Sequence, residues 1–198
     1  MNGQMPTKAL STQISSNTDT SEIFVKKAIV TIDGAVALHR SWPGSDGLPQ
    51  DIFHLSTRLS PTLNVDLLAQ DENGRTLLAW RDDNFAGSGW HLPGGVVRFK
   101  ETLVDRVQQV AITELRTRVR IDPTPIAHNE VFRPHDTRGH FYSVLFKCRP
   151  PPGFMPANGT LLSTDAGYLK WHKKCPHSLV PVHEMYREII NGGTDGNE

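Results

Sequence analysis

Between residues 101 and 115 the apolar side chains recur every four positions, at Leu103, Val107, Ala111 and Leu115. That period puts them on one face of a helix opened by Glu101 and Thr102. Just before it, Trp90-His91-Leu92-Pro93-Gly94-Gly95 carries a Pro-Gly-Gly turn. Glycine tolerates φ > 0 and lets main-chain carbonyls approach a ligand closely. Upstream the pattern shortens. Residues 63–69 and 76–80 read as strands, joined as a hairpin through Asp71-Glu72-Asn73-Gly74. Residues 51–59 read as a short helix with Ile52, Phe53 and Leu55 inward. Downstream, residues 126–132, 141–148 and 168–171 read as strands and 182–190 as a last helix, with an irregular loop from Pro150 to about Asp165. Strands before and after a central helix predict an α/β chain with a mixed sheet between helices.

The N-terminal end differs in kind. Residues 1–20 hold almost no large apolar side chain and read as a disordered tail. Residues 21–47 read as an extension, a hairpin over 23–39 turning at Asp33-Gly34 and then a Pro/Gly-rich linker. It would add strands to a sheet edge or pair with a second copy, which leaves a homodimer open. The main domain is expected over 48–192, with 193–198 a flexible C-terminus.

Composition narrows the function classes. Lys plus Arg and Asp plus Glu both number 21, so no basic field recruits nucleic acid. No run of about 18 apolar residues is present to span a membrane, and a secretory pattern is missing from the first residues. Cys148 and Cys175 lack a CxxC partner. Reduced thiols in a cytoplasmic protein are the expectation.

The chemistry concentrates after Gly94. Gly95, Glu101 and Glu114 keep the spacing of the Nudix box, G-x5-E-x7-R-E-U-x-E-E-x-G-U with U a bulky aliphatic, and this stretch resembles it. Gln109, Val110, Thr113 and Arg116 depart, standing where the box has Arg, Glu, Glu and Gly. The departures at 110 and 113 resemble those of the GDP-mannose mannosyl hydrolase branch. Pro61-Thr62-Leu63-Asn64-Val65-Asp66 and Leu77-Leu78-Ala79-Trp80-Arg81 are similar to that branch's P-L-V-S-L-D and L-L-G-K-R segments.

The resemblance implies a Nudix-type α/β/α sandwich with a mixed sheet and a Mg²⁺-dependent hydrolase of a nucleotide sugar. It implies Glu114 and the Gly94 carbonyl as metal ligands, Arg81 gripping the diphosphate, and Asp66 near the nucleotide. Glu101 would charge the first helical turn and orient the catalytic loop. The family's catalytic histidine falls in the loop Arg133-Pro134-His135-Asp136-Thr137-Arg138-Gly139-His140, where His135 is the expected base and His140 the second choice. Arg133, Arg138 or Arg98 would replace the branch arginines absent at Val96 and Gln109. His183 matches a Val-His pair of the branch without a role. Three readings stay open: attack of water on the sugar's anomeric carbon, attack on phosphorus as in ordinary Nudix diphosphatases, and a non-catalytic nucleotide-binding module.

Overall fold

The computed structural model describes residues 33–34 and 49–192, except 85 and 135–137. The chain divides into two units, Met1–Phe53 and His54–Glu198. In the first, Asp33 and Gly34 are helical where a hairpin turn was expected, and the rest of the 23–39 stretch lies outside the described residues. Helix α1, Gln50–Leu59, ends at Ser60-Pro61, where proline disfavours helical backbone in the residue before it.

The second unit carries two sheets. In chain order its strands are β1 Thr62–Ala69, β2 Thr76–Asp83, β3 Gly87–His91, β4 Gly94–Val96, β5 Arg120–Ile121, β6 Ala127–Phe132, β7 His140–Arg149 and β8 Leu169–His172. One sheet runs β4-β1-β7-β5, with β6 also paired to β7; the other runs β3-β2-β8. β1 and β7 are parallel and the remaining pairs antiparallel, so the larger sheet is mixed. The expected β1–β2 hairpin does not form. The two strands share only the bridge Gln70–Thr76 and then enter different sheets. The reason is burial. Residues 65–69 are buried without a break, the mark of an interior strand with neighbours on both sides, and β4 and β7 take those places.

Strand alternation separates two cores. Val65, Leu67 and Ala69 of β1, Leu77 and Ala79 of β2, and Phe146 and Cys148 of β7 face Val107, Val110, Ala111 and Leu115 of the central helix. Leu68, Leu78 and Leu145 face the other way, onto Leu179, Tyr186 and Ile190 of the C-terminal segment. Helices on opposite sides of sheet residues of alternating parity make the α/β/α sandwich.

Thr102 caps the central helix, its hydroxyl accepting the Asp105 N–H at 3.1 Å. The helix, α2, is regular over Leu103–Val110 and then widens to a π-helix over Ala111–Leu115. It ends on Arg116 at φ 59°, a left-handed residue. A glycine costs nothing there, which is the physical reason a box of this kind has glycine at that position. The C-terminal segment is a 3₁₀ helix, Pro181–Tyr186, running into a short helix α3, Arg187–Ile190.

Candidate active site

β4 lies at the free edge of the larger sheet, and the ladder parity decides where its polar groups point. Leu67 N–H donates to Pro93 C=O at 2.9 Å and Val97 N–H to Leu63 C=O at 2.8 Å. The intervening pair Asp66–Gly94 is therefore a non-hydrogen-bonded one, with Cα atoms only about 4.5 Å apart. Gly94 N–H and C=O consequently turn away from β1, off the sheet edge. The N–H donates to the Glu114 carboxylate. The close approach admits no side chain at 94: a Cβ would meet the Val65 carbonyl oxygen at 2.7 Å and the Asp66 carboxylate closer still.

Glu114 sits in the π-turn of the helix that packs over this edge. Burial pushes its carboxyl up to about 7, with the Gly94 N–H and Arg81 pulling down and Asp66 pushing up. Asp66 is 5% exposed, and burial pushes it up to about 6 against hydrogen bonds from Ser143 and Tyr186 and the charge of Arg81. Two carboxyls that are raised by burial, one of them also by the other's charge, are short of positive charge. The Glu114 carboxylate and the Gly94 carbonyl are oxygen donors of the kind a divalent cation takes, and among the described residues no group of three or more His, Cys, Asp or Glu side chains is gathered to hold one.

Asp66 belongs to a second network. Tyr186 donates its hydroxyl to Ser143 at 2.8 Å, and Ser143 donates to Asp66 Oδ2. Its other oxygen, Oδ1, is 3.7 Å from His183 Nε2. His183 Nδ1 accepts the Leu92 N–H at 3.0 Å, so Nε2 carries the proton. Burial, with Arg81 nearby, lowers His183 to about 3. The ring is neutral near pH 7 and makes no ion pair with Asp66. His91 is also held neutral, lowered to about 3 chiefly by burial, with His183 and Arg81 adding to it.

A cleft opens here. Its wall includes Asp66, Arg81, Gly94, Arg138, His91 and His183. Arg81 forms a 2.5 Å ion pair with Asp83 at the end of β2. Arg138 is lowered by burial and by Arg81, against Asp83, and both arginines line the cleft.

Of the residues expected from the sequence, Asp66, Arg81 and Gly94 line the cleft, and Glu114 lies outside the wall but reaches it by accepting the Gly94 N–H. Glu101 does not join them. It accepts the Arg98 N–H at 2.9 Å and the Arg106 guanidinium at 2.7 Å, tying the turn to the helix from a place outside the cleft wall. His140 pairs with Glu130 at 2.9 Å in an exposed position, also outside the wall. Arg133 donates its N–H to Gly139 C=O at 2.6 Å and is not part of the wall. His135 lies outside the described residues. The sequence reading left out His91, Ser143 and Tyr186, and gave His183 no role. Each sits on a different element and alone looks like an ordinary core residue.

The two positions where the box would have glutamates are filled by other local roles. Val110 is 2% exposed and packs in the core, and Gly95 would bring a Cβ within 3.2 Å of it. Thr113 turns its hydroxyl back to the Gln109 carbonyl at 2.9 Å. Neither position offers a carboxylate.

The fold is that of solved Nudix hydrolases. A MutT Nudix hydrolase from Burkholderia pseudomallei superposes with a TM-score of 0.52 at 19% identity, covering 65% of this chain and 97% of that one. A Nudix-family hydrolase from Clostridium perfringens superposes at 0.53 with 12% identity, covering 69% and 97%. No family model matches the chain. Over 148 residues it is 30% identical to the low-salt glycan biosynthesis protein Agl8 of Haloferax volcanii, covering 73% of this chain and 91% of that protein. The chain belongs to one family with that glycan biosynthesis protein, and its fold is the Nudix hydrolase fold.

Proposed function

We propose that the protein is a Mg²⁺-dependent hydrolase of nucleoside-diphosphate sugars, GDP-mannose-like in class, in which water attacks the sugar's anomeric carbon. The observation that carries this reading is the grouping of Arg81 and Arg138 with Asp66 and the Gly94–Glu114 contact around one cleft. Guanidinium groups grip diphosphate oxygens through paired hydrogen bonds. Glu114 and the Gly94 carbonyl would hold the cation, which when bound neutralises charge on the diphosphate.

The rest falls to the chain itself. Arg81 and Arg138 stabilise the negative charge that grows on the departing diphosphate. A base takes the proton of the attacking water, and His135 is the residue to test in that role. Val110 and Thr113 supply no carboxylates, which disfavours the several-metal arrangement an attack on phosphorus would use. The name of the Haloferax relative, a glycan biosynthesis protein, favours an activated sugar as substrate.

The test is a ³¹P NMR screen of nucleoside-diphosphate sugars, GDP-mannose first, with Mg²⁺. The expected products are nucleoside diphosphate and free sugar. Nucleoside monophosphate with sugar phosphate, or no turnover across the panel, would overturn the proposal.

A further inference from the structure

Strand β6 leaves one edge of the larger sheet open. It pairs only with β7, from Ala127 opposite Leu145 to Phe132 opposite His140. One residue further on, the Arg133 N–H donates to the Gly139 C=O, so these two form a hydrogen-bonded pair of the same ladder. Bonded and non-bonded pairs alternate, which turns the main-chain groups of Val131, Asn129 and Ala127 toward β7. Those of Phe132, Glu130 and His128 point outward. Among the described residues no hydrogen bond reaches them.

Other edges are guarded. Asn158 covers β8, its side chain taking the Leu169 N–H at 2.8 Å and the Leu169 C=O at 3.0 Å. Ser178 and Val180 cover β3, exchanging two main-chain bonds with Trp90. β6 runs six residues without the lysine or proline that commonly blunts a free edge. The side chains beside it lack cover as well. Phe132 is 65% exposed and stands edge-on to His140 at 5.2 Å. Tyr142 of β7 and Leu63 of β1, cross-strand partners on the same face, are 44% and 42% exposed. An apolar row that runs out to an open strand edge marks an interaction surface.

Self-complementarity decides the occupant. Antiparallel pairing of β6 with its own copy about Asn129 sets His128 opposite Glu130 of the partner subunit, and the reverse. An imidazole then meets a carboxylate twice. Both residues point their main-chain groups outward, so each of these pairs adds two main-chain hydrogen bonds. Centring the pairing on Glu130 instead would oppose two carboxylates, which is unfavourable. We propose that β6 is the docking edge for a second copy of this chain. The larger sheets of two subunits join there into one, about a two-fold axis at Asn129. This surface is independent of what the cleft binds.

Sedimentation velocity on the full chain over a dilution series tests the proposal. The parent should be a dimer at high concentration and dissociate on dilution. Glu130→Pro removes an outward N–H that β7 does not use, a place where an edge strand tolerates proline. It should raise the dimer Kd at least about ten-fold, because the two-fold axis loses the bond twice. His128→Glu sets carboxylates opposite each other and should also weaken the dimer. His128→Glu combined with Glu130→His exchanges the pair and should return Kd to within about three-fold of the parent. A parent that is monomeric at every concentration overturns the proposal, as does a dimer that neither single variant weakens. So does a double variant no tighter than His128→Glu alone. His128 and Glu130 are both exposed, so if Glu130→Pro fails to fold, the exchanged pair decides by itself.

Discussion

Gly94→Ala adds a single methyl group where three constraints meet. The new Cβ would stand 2.7 Å from the Val65 carbonyl oxygen, whereas real Cβ contacts stay beyond 3.0 Å. Val65 is in the interior strand β1 with no exposed surface, so its carbonyl cannot retreat without moving the core. The nearer obstacle, Asp66, is pinned by Ser143. The conflict resolves by opening the β1–β4 pair, and overpacking of this kind costs about 1–3 kcal/mol. For a domain of this size that lowers Tm by about 2–12 °C. The same displacement pulls the Gly94 N–H from Glu114 and spoils the cation site. Gly74→Ala is the matched control. Gly74 has φ +70° with nothing within 4 Å of the added Cβ, so its cost, about 1–2 kcal/mol, is backbone strain alone. Thermal melts and calorimetric Mg²⁺ titration on both variants separate the effects. Both should melt earlier, and only Gly94→Ala should lose Mg²⁺ affinity. A Gly94→Ala protein that melts with the parent and binds Mg²⁺ equally would refute the reasoning.

Glu114 has its folded pKa raised from 4.5 to about 7, so the native state binds the extra proton and the stability it contributes is lost as pH rises from about 4.5 to 7. Metal-free Glu114→Gln should therefore melt with the parent at pH 4 and above it at pH 8; a difference independent of pH would remove the buried-carboxylate assignment. The opposing effect of His91 and His183, lowered to about 3, is common to both proteins and cancels in the comparison. Arg81→Ala should raise KM and lower kcat, and Arg81→Lys should restore only part of the loss, because lysine cannot make paired hydrogen bonds. Full rescue would reduce Arg81 to a diffuse charge. Arg116→Gly should raise stability by about 0.5–1 kcal/mol, read from denaturant midpoints, since Arg116 holds φ 59°. An unchanged or lowered midpoint would show that the arginine side chain compensates for its backbone.

The central helix was legible because Leu103, Val107, Ala111 and Leu115 repeat with a helical period and bury accordingly, Leu103 only in part. Its π-turn around Glu114 was not, since the widening depends on tertiary packing and leaves no periodic trace. β3 escaped for a plainer reason. Gly87-Ser88-Gly89-Trp90-His91 has no alternation, and the strand exists through backbone pairing with β2. The β1–β2 turn read correctly as a turn, with Asp71 accepting from Asn73 and Arg75 N–H groups. The hairpin inference failed because it ignored that an unbroken apolar run, residues 67–69, wants two strand neighbours.

Motif spacing pointed to some of the residues gathered around the candidate cleft and not to others. Asp66, Arg81, Gly94 and Glu114 stand in segments where local sequence carries the signal. Ser143, Tyr186 and His183 come to Asp66 from β7 and the C-terminal segment, far from it in sequence. No spacing in a single stretch announces such a network. An aspartate in the middle of a buried strand does announce that partners exist, because a buried carboxylate needs them.

The bond that breaks is the most direct test of the proposed function. Incubating the protein with Mg²⁺ and GDP-mannose in H₂¹⁸O, and weighing the products by mass spectrometry, locates the oxygen that water delivers. Attack on the anomeric carbon puts the heavy oxygen in the free sugar and none in the nucleoside diphosphate. Label in a phosphate-bearing product would contradict the account and return the protein to hydrolysis at phosphorus.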